Sequence, residues 1–235
     1  MSATQLASDA SNKTHMKRVG FIGLDRTGTA MATRLLNAGH LVTVYDPARD
    51  MPEGLASTGV NAANSLADAC RSADVVFTML PDDEITEAVI LGRAGVLESL
   101  PRRAIHIGSS TVSVECSDRI VEAHWNAGKQ YISAPVLLRS GSAADEQLFV
   151  IAGGREATMI EIEPLLSQIG QLAQLSGWPS DANFVQLGAD SAGATLFQFL
   201  ARHPELCARQ YRSQFAGPAS PLDRFLDIET KGVLR

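Results

Sequence analysis

Cysteine is scarce in this 235-residue chain, and the three present, Cys70, Cys116 and Cys207, are odd in number, far apart and form no CxxC pair. No disulfide framework is expected in a chain of this size, and each thiol reads as a small helix-face hydrophobe. Basic charge is in deficit: 20 Lys+Arg stand against 26 Asp+Glu, a net charge of −6 with a pI near 5.4. That balance speaks against a nucleic-acid partner. Long apolar runs are missing too. The longest stretch without a charge, Pro164 to Ser180, is interrupted by Gln, Ser, Gly and Pro, so no membrane span is expected. Residues 1–15 are polar and lack an apolar h-region, which reads as a disordered leader rather than a signal peptide and implies a cytoplasmic protein. The histidines, His15, His40, His106, His124 and His203, form no HxH or HxxxH pair, and no GxSxG elbow occurs. Neither a metal site nor an esterase-type nucleophile is therefore expected. What is present is ordinary globular composition, 45% apolar with a mean hydropathy of +0.03, in a chain long enough to bury a core.

Short β-branched or aromatic runs alternate with segments of helical periodicity. Arg18–Ile22, Leu41–Tyr45, Val75–Met79, Ala104–Ile107, Tyr131–Ser133 and Leu148–Ile151 read as buried strands. Thr29–Ala38, Ser65–Arg71, Glu84–Leu91, Val114–Ala127 and Ala157–Ile169 read as helices between them. This alternation implies an α/β fold, a doubly wound and mostly parallel sheet of Rossmann type over residues 16–170. The alternation is expected to stop near Gly170, leaving residues 171–235 as a shortened all-helical C-terminal domain that begins with one long helix, Asp181–Ala201.

The first unit runs Val19-Gly20-Phe21-Ile22-Gly23-Leu24-Asp25-Arg26-Thr27-Gly28, then a helix, then a strand ending at Asp46. Strand, glycine turn, helix, second strand and an acid about twenty residues on are the setting of a dinucleotide fingerprint. Gly23 permits the tight turn, Gly28 permits close helix–strand packing, and Asp46 can take both ribose hydroxyls, which favours NAD over NADP. The middle glycine is replaced by Asp25. A carboxylate ~5 Å from a phosphate charge costs about 3 kcal/mol at an effective dielectric of ~20, so binding is expected to be weakened. Alternatively Asp25 or Thr27 caps its own helix and occupies the anion site itself.

Over Lys17 to Gly188 the sequence resembles the β-hydroxyacid dehydrogenases, the 3-hydroxyisobutyrate dehydrogenase-like family related to imine reductases. The matching pieces are Gly20-Phe21-Ile22-Gly23-Leu24, Met31-Ala32, Leu35 to His40, Val44-Tyr45-Asp46, Ala73 to Asp82, Ser110-Thr111, Ala134-Pro135-Val136 and Leu148 to Gly154. The resemblance implies an oxidoreductase that binds NAD or NADP and acts on a small hydroxy acid, semialdehyde or imine. It assigns cofactor contacts to Gly23, Leu24, Asp25, Thr27, Gly28 and Asp46, places Met79, Leu80 and Pro81 along the nicotinamide, and gives Ser110 and Thr111 to the substrate carboxylate.

Departures fall on functional positions. Leu137-Leu138-Arg139 stands where the family has Ser-Gly-Gly; Arg139 either attracts an acidic substrate or is a solvated surface residue. The family's catalytic lysine position is Gln186, whose amide cannot act as a general acid near neutral pH. Asp190, one turn on, either takes over proton transfer or is an exposed helix carboxylate. The segment around Lys231 echoes a substrate-side Lys-Asp-Leu motif, making Lys231 a candidate substrate contact, and 49 residues follow Gln186. The loss of glycine, lysine and Ser-Gly-Gly leaves a second expectation open: a catalytically silent relative serving as a binding or scaffolding module. Phe184, Leu187, Leu196, Phe197 and Leu200 on the long helix suggest a homodimer.

Overall fold

The computed structural model describes residues 16–48, 50–139, 147–176, 179–180 and 182–183. Gln186, Asp190, Lys231, Cys207, residues 1–15 and most of the expected Asp181–Ala201 helix lie outside them. Six strands run parallel: β1 (Arg18–Ile22), β2 (Leu41–Tyr45), β3 (Asn61–Ala62), β4 (Val75–Thr78), β5 (Ile105–Gly108) and β6 (Gln130–Ser133), in the spatial order 3-2-1-4-5-6. That is the doubly wound order, with its reversal of winding between β1 and β4. The chain leaves β6 through Ala134-Pro135 into β7 (Val136–Arg139). Both strands lie antiparallel to β8 (Gln147–Gly154), which pairs in parallel with β9 (Gln171–Ser176).

The expected end of the alternation near Gly170 is corrected by β9. Its sequence, Gln171-Leu-Ala-Gln-Leu-Ser, has no β-branched residue and little signal of its own. Pairing with β8 supplies what propensity does not. Gly170 acts as a site of close approach, because a Cβ there would collide with the carbonyl of Leu148.

Strand residues alternate between two apolar layers. Val19, Phe21, Val75, Phe77, Ile105, Ile107 and Ile132 pack under helices α1 (Arg26–Asn37) and α7 (Glu156–Ile169), which contribute Met31, Leu35, Met159, Ile162 and Leu166. Phe21 and Phe77, both fully buried, stack with ring centroids 5.7 Å apart. The opposite face packs Ile22, Val76 and Tyr131 against α3 (Leu66–Cys70), α4 (Asp83–Leu91), α5 (Val96–Ser99) and α6 (Val114–Asn126), which bring Cys70, Ile90, Val96, Cys116 and Ile120. The short α2 (Glu53–Ala56) precedes β3. Cys70 and Cys116 are buried, and burial pushes both thiols up to about 12, which makes them inert packing groups. Four helices, α1, α3, α4 and α6, begin where a side chain satisfies a free amide: Asp25, Ser65, Asp82 and Ser113 accept from Gly28, Asp68, Ile85 and Cys116. Among the described residues no helix is long and apolar enough to cross a membrane.

Candidate functional site

Every βα turn of a parallel sheet opens at the carboxyl end of its strand, so the β1–α1 turn, Asp46 after β2, the Met79-Leu80-Pro81 loop after β4 and the Ser110-Thr111 loop after β5 converge on one edge. Gly23 has a φ of 97° and a Cβ there would strike the carbonyl oxygen of Met79. Both conditions require glycine, and together they seat the β1–α1 turn against the Met79 loop. A Cβ on Gly28 would strike the carbonyl of Gly23, which lets α1 start directly beneath the turn.

Backbone donors in this turn are taken by two carboxylates. Leu24 N donates to Asp46 Oδ2 at 2.7 Å, and Asp46 Oδ1 accepts from Ala48 N at 2.8 Å. Gly28 N donates to Asp25 Oδ1 at 2.7 Å. Asp25 has φ −65° and ψ −176°, extended backbone that any residue adopts. The aspartate therefore fits the turn without strain, and what changes is the occupant of the amide cradle. Of the two residues considered for this cap, Asp25 makes it; Thr27 sits half-buried in the first turn of α1.

The Ser110 loop is held from two sides. Ser110, 3% exposed, accepts from Leu80 N at 2.8 Å, which ties the substrate-side loop to the loop expected along the nicotinamide. Met79 is half-buried, Leu80 buried, and Pro81 and Thr111 exposed. Asn183, 1% exposed, donates to Ser110 O at 3.3 Å and to Val112 O at 3.5 Å, while its Oδ1 accepts from Ser117 at 3.1 Å and from Ser133. One amide thus joins the ends of β5 and β6 to the first turn of α6. Ser109 Oγ, fully buried at the end of β5, has no hydrogen-bond partner among the described residues, an arrangement that costs about 1–3 kcal/mol unless another group completes it. Val136 N donates to Ser109 O, so β7 begins beside this loop. Leu137, half-buried, stands opposite Phe149 in the β7–β8 pair, and Arg139 pairs with Gln147 three residues past Val136, about 10 Å of strand farther on.

Behind the loops lies a buried chain of neutral side chains. His124 Nδ1 contacts Ile120 O at 2.8 Å, and a carbonyl can only accept, so Nδ1 carries the proton. His124 Nε2 then accepts from His106 Nδ1 at 2.9 Å, leaving His106 Nε2 to accept from the Thr78 hydroxyl at 3.1 Å. Tyr131 packs edge-on to His106, with ring centroids 5.1 Å apart. Burial holds the His106 imidazole well below its ordinary value, with a further push from His124. It lowers His124 to about 4, against a smaller opposing effect of the Ile120 carbonyl. Burial likewise raises the Tyr131 hydroxyl above its ordinary range. The chain ends at Thr78, the residue before Met79.

Sequence reasoning missed Asn183 and the His106–His124 pair. Nothing in a lone Asn three residues before Gln186 marks it as a clasp. His106 and His124 lie on a strand and on the helix above it, a pairing that spacing does not reveal. Among the described residues no cluster of three His, Cys, Asp or Glu could hold a metal ion.

The family profile described as the NAD binding domain of 6-phosphogluconate dehydrogenase matches residues 18–185. An NAD-dependent L-serine dehydrogenase from Pseudomonas aeruginosa is 32% identical over 178 residues, covering 76% of this chain and 56% of that protein. A 3-hydroxyisobutyrate dehydrogenase from the same organism is 33% identical over 156 residues, covering 66% of this chain and 52% of that one. The chain belongs to the 3-hydroxyisobutyrate dehydrogenase-like β-hydroxyacid dehydrogenase family. The solved structure of Mycobacterium tuberculosis 3-hydroxyisobutyrate dehydrogenase with L-serine matches this family member with a TM-score of 0.63 and 27% identity, covering 88% of this chain and 73% of that one. An imine reductase from Myxococcus stipitatus in complex with NADP+ shares the fold, with a TM-score of 0.67 at 18% identity over 78% of this chain and 63% of that one. The chain spans about half the length of the curated relatives it matches. The family's NAD(P) cofactor suits Asp46, a carboxylate at the end of β2, and a β1–α1 turn whose tight path needs glycine at Gly23 and Gly28. It suits Asp25 poorly, because that carboxylate already holds the Gly28 amide.

Proposed function

We propose that this chain carries the cofactor half of an NAD-dependent oxidoreductase acting on a small hydroxy acid, semialdehyde or imine. The observation that carries the reading is Asp46, fixed by Leu24 N and Ala48 N at the carboxyl end of β2 beside the glycine turn. A carboxylate has about four lone-pair sites, and these two bonds leave others for ribose hydroxyls. It would repel a 2′-phosphate, which is why NAD is preferred to NADP. When bound, the nicotinamide would carry the hydride, taking it from a hydroxy acid or giving it, as the reduced form, to a semialdehyde or imine. Ser110 and Thr111 hold the substrate's acid group, with Arg139 and Lys231 as further candidates, and Met79, Leu80 and Pro81 form the wall beside the reacting ring. Asp190 is the candidate proton donor in place of Gln186, since an amide does not titrate.

The same reading makes the protein a cytoplasmic homodimer whose nucleotide-binding unit runs through β9 and is followed by a helical part. Light scattering should return twice the chain mass of 25.0 kDa. Titration of NADH and NADPH with melting temperature as the readout tests the cofactor step directly. NADH is expected to raise Tm at lower concentration than NADPH, because a ligand bound only by the folded state stabilises it. No shift with either at millimolar concentration overturns the reading.

A further inference from the structure

A cavity of about 270 Å³ opens at the amino end of β6, between the last turns of α6 and the first turn of α7. It lies on the edge of the sheet opposite the glycine turn and the Ser110 loop, and none of its described lining residues is assigned above to cofactor or substrate. Much of the lining is aromatic. His124 and Tyr131, both buried, line it with ring centroids 4.8 Å apart, and Trp125, 63% exposed, adds an indole. Both nitrogens of His124 are already spent, one on Ile120 O and the other on His106, so that ring offers surface and no hydrogen bond.

The polar side chains of the lining are one-sided. Thr158 donates to Gln130 Oε1 at 2.9 Å, which leaves the Gln130 amide with N–H donors to give. Lys129 Nζ donates to the carbonyls of Leu97 and Leu100, the latter at 2.9 Å, and brings a positive charge to the cavity. Arg155, exposed at the start of α7, brings a second charge and a planar fork of donors that matches a carboxylate. No Asp or Glu is among the described lining residues, although the chain as a whole carries a net charge of −6. Donors and positive charge call for an anionic acceptor, and the rings call for a flat apolar body. We propose that this cavity is a ligand site for a small planar carboxylate of the benzoate class, its ring against Trp125, His124 and Tyr131 and its carboxylate toward Gln130 and Arg155. At about 270 Å³ it falls just below the ~300–1,000 Å³ of sites for drug-sized ligands, which limits the occupant to a single ring. The site stands apart from the cofactor reading and does not depend on it.

Titration of the isotope-labelled full chain with benzoate, followed by NMR at the tryptophan indole N–H signals, tests the site. The chain holds two tryptophans, Trp125 and Trp178, and Trp125→Phe assigns the signals. Benzoate is expected to shift the Trp125 signal saturably and to bind about tenfold more tightly than benzyl alcohol, which keeps the ring and lacks the charge. Cyclohexanecarboxylate, which keeps the charge and lacks the flat ring, should bind about threefold more weakly than benzoate. Arg155→Gln should weaken benzoate about fivefold and leave benzyl alcohol unchanged. Arg155 and Trp125 are exposed, so both variants should melt with the wild type. Absence of a saturable Trp125 shift up to about 20 mM benzoate overturns the proposal. So does equal affinity for benzoate and benzyl alcohol, or an Arg155→Gln variant that binds benzoate like the wild type. Displacement of benzoate by NADH also overturns it, because the ligand would then sit at the carboxyl edge.

Discussion

The two halves of the sheet treat polar groups at their carboxyl edge in opposite ways. In the half built on β1 and β2, backbone amides are met by ionised side chains, Asp46 on Leu24 and Asp25 on Gly28, close to solvent. In the half built on β5 and β6, hydroxyls, an amide and two imidazoles satisfy one another in a buried and neutral network. A charged contact to a helix amide can be exchanged for another anion. Buried neutral contacts have no such substitute, so removing one member leaves its partners unpaired in a medium that penalises them. The first half meets its turn amides with carboxylates, and the second holds its loops with buried neutral groups.

The largest effect that sharpens this contrast is at Gly23. Gly23→Ala forces a Cβ at φ 97° into the backbone carbonyl of Met79 and should cost about 4 kcal/mol while abolishing NADH binding. Urea unfolding and titration read the two outcomes, and a variant of wild-type stability would show that the turn opens freely.

Acid should break the second half before the first. His124 lies at about 4 in the folded protein against an ordinary 6.5, so between those values the unfolded chain takes up a proton that the folded one refuses. Stability is therefore complete above about pH 6.5 and falls as pH drops toward 4, by about 3 kcal/mol from this residue. His106 acts in the same direction. Asp74, held below its usual range by the hydrogen bonds and charge of Arg18, also loses stabilisation in acid, but only at lower pH and at the surface. Urea midpoints at pH 7 and pH 4.5 should differ in wild type and converge in His124→Leu; a fall undiminished in that variant would show that the imidazole is not its source.

A smaller loss is expected at Asn183. Asn183→Ala leaves the carbonyls of Ser110 and Val112 and the hydroxyls of Ser117 and Ser133 without this partner, a cost of about 2 kcal/mol. Amide exchange should quicken across Ser109–Val112 and leave β1 and β2 protected; uniform loosening would mean that the halves are not independent. The smallest effect belongs to Asp25→Ala, which removes a helix cap and should cost about 1 kcal/mol in urea unfolding, with Asp25→Gly costing only a few tenths.

The strands and helices of the parallel half could be read from the chain because each carries its own periodicity. β1 and β2 fall where the apolar runs Arg18–Ile22 and Leu41–Tyr45 stand. Gly23, Gly28 and Asp46 were legible for the same reason: a strand–turn–helix–strand unit fixes their separation along the chain. β3, β7 and β9 were not, because two exposed residues, a strand after a kink and a Leu/Gln segment owe their conformation to the neighbour they pair with.

The sequence by itself determined the doubly wound sheet, the glycine turn and the family, since these depend on contacts between residues near in sequence and on a hydrophobic pattern that admits one burial. Only the tertiary structure decided which carboxylate holds which amide, and that His106 meets His124, that Asn183 clasps the ends of two strands, and that Ser110 is joined to Leu80. Hydrogen bonds have a range of about 3 Å and a direction. Whether two polar groups meet is fixed by how layers far apart in sequence come to rest on one another, and hydrophobic periodicity carries no record of it.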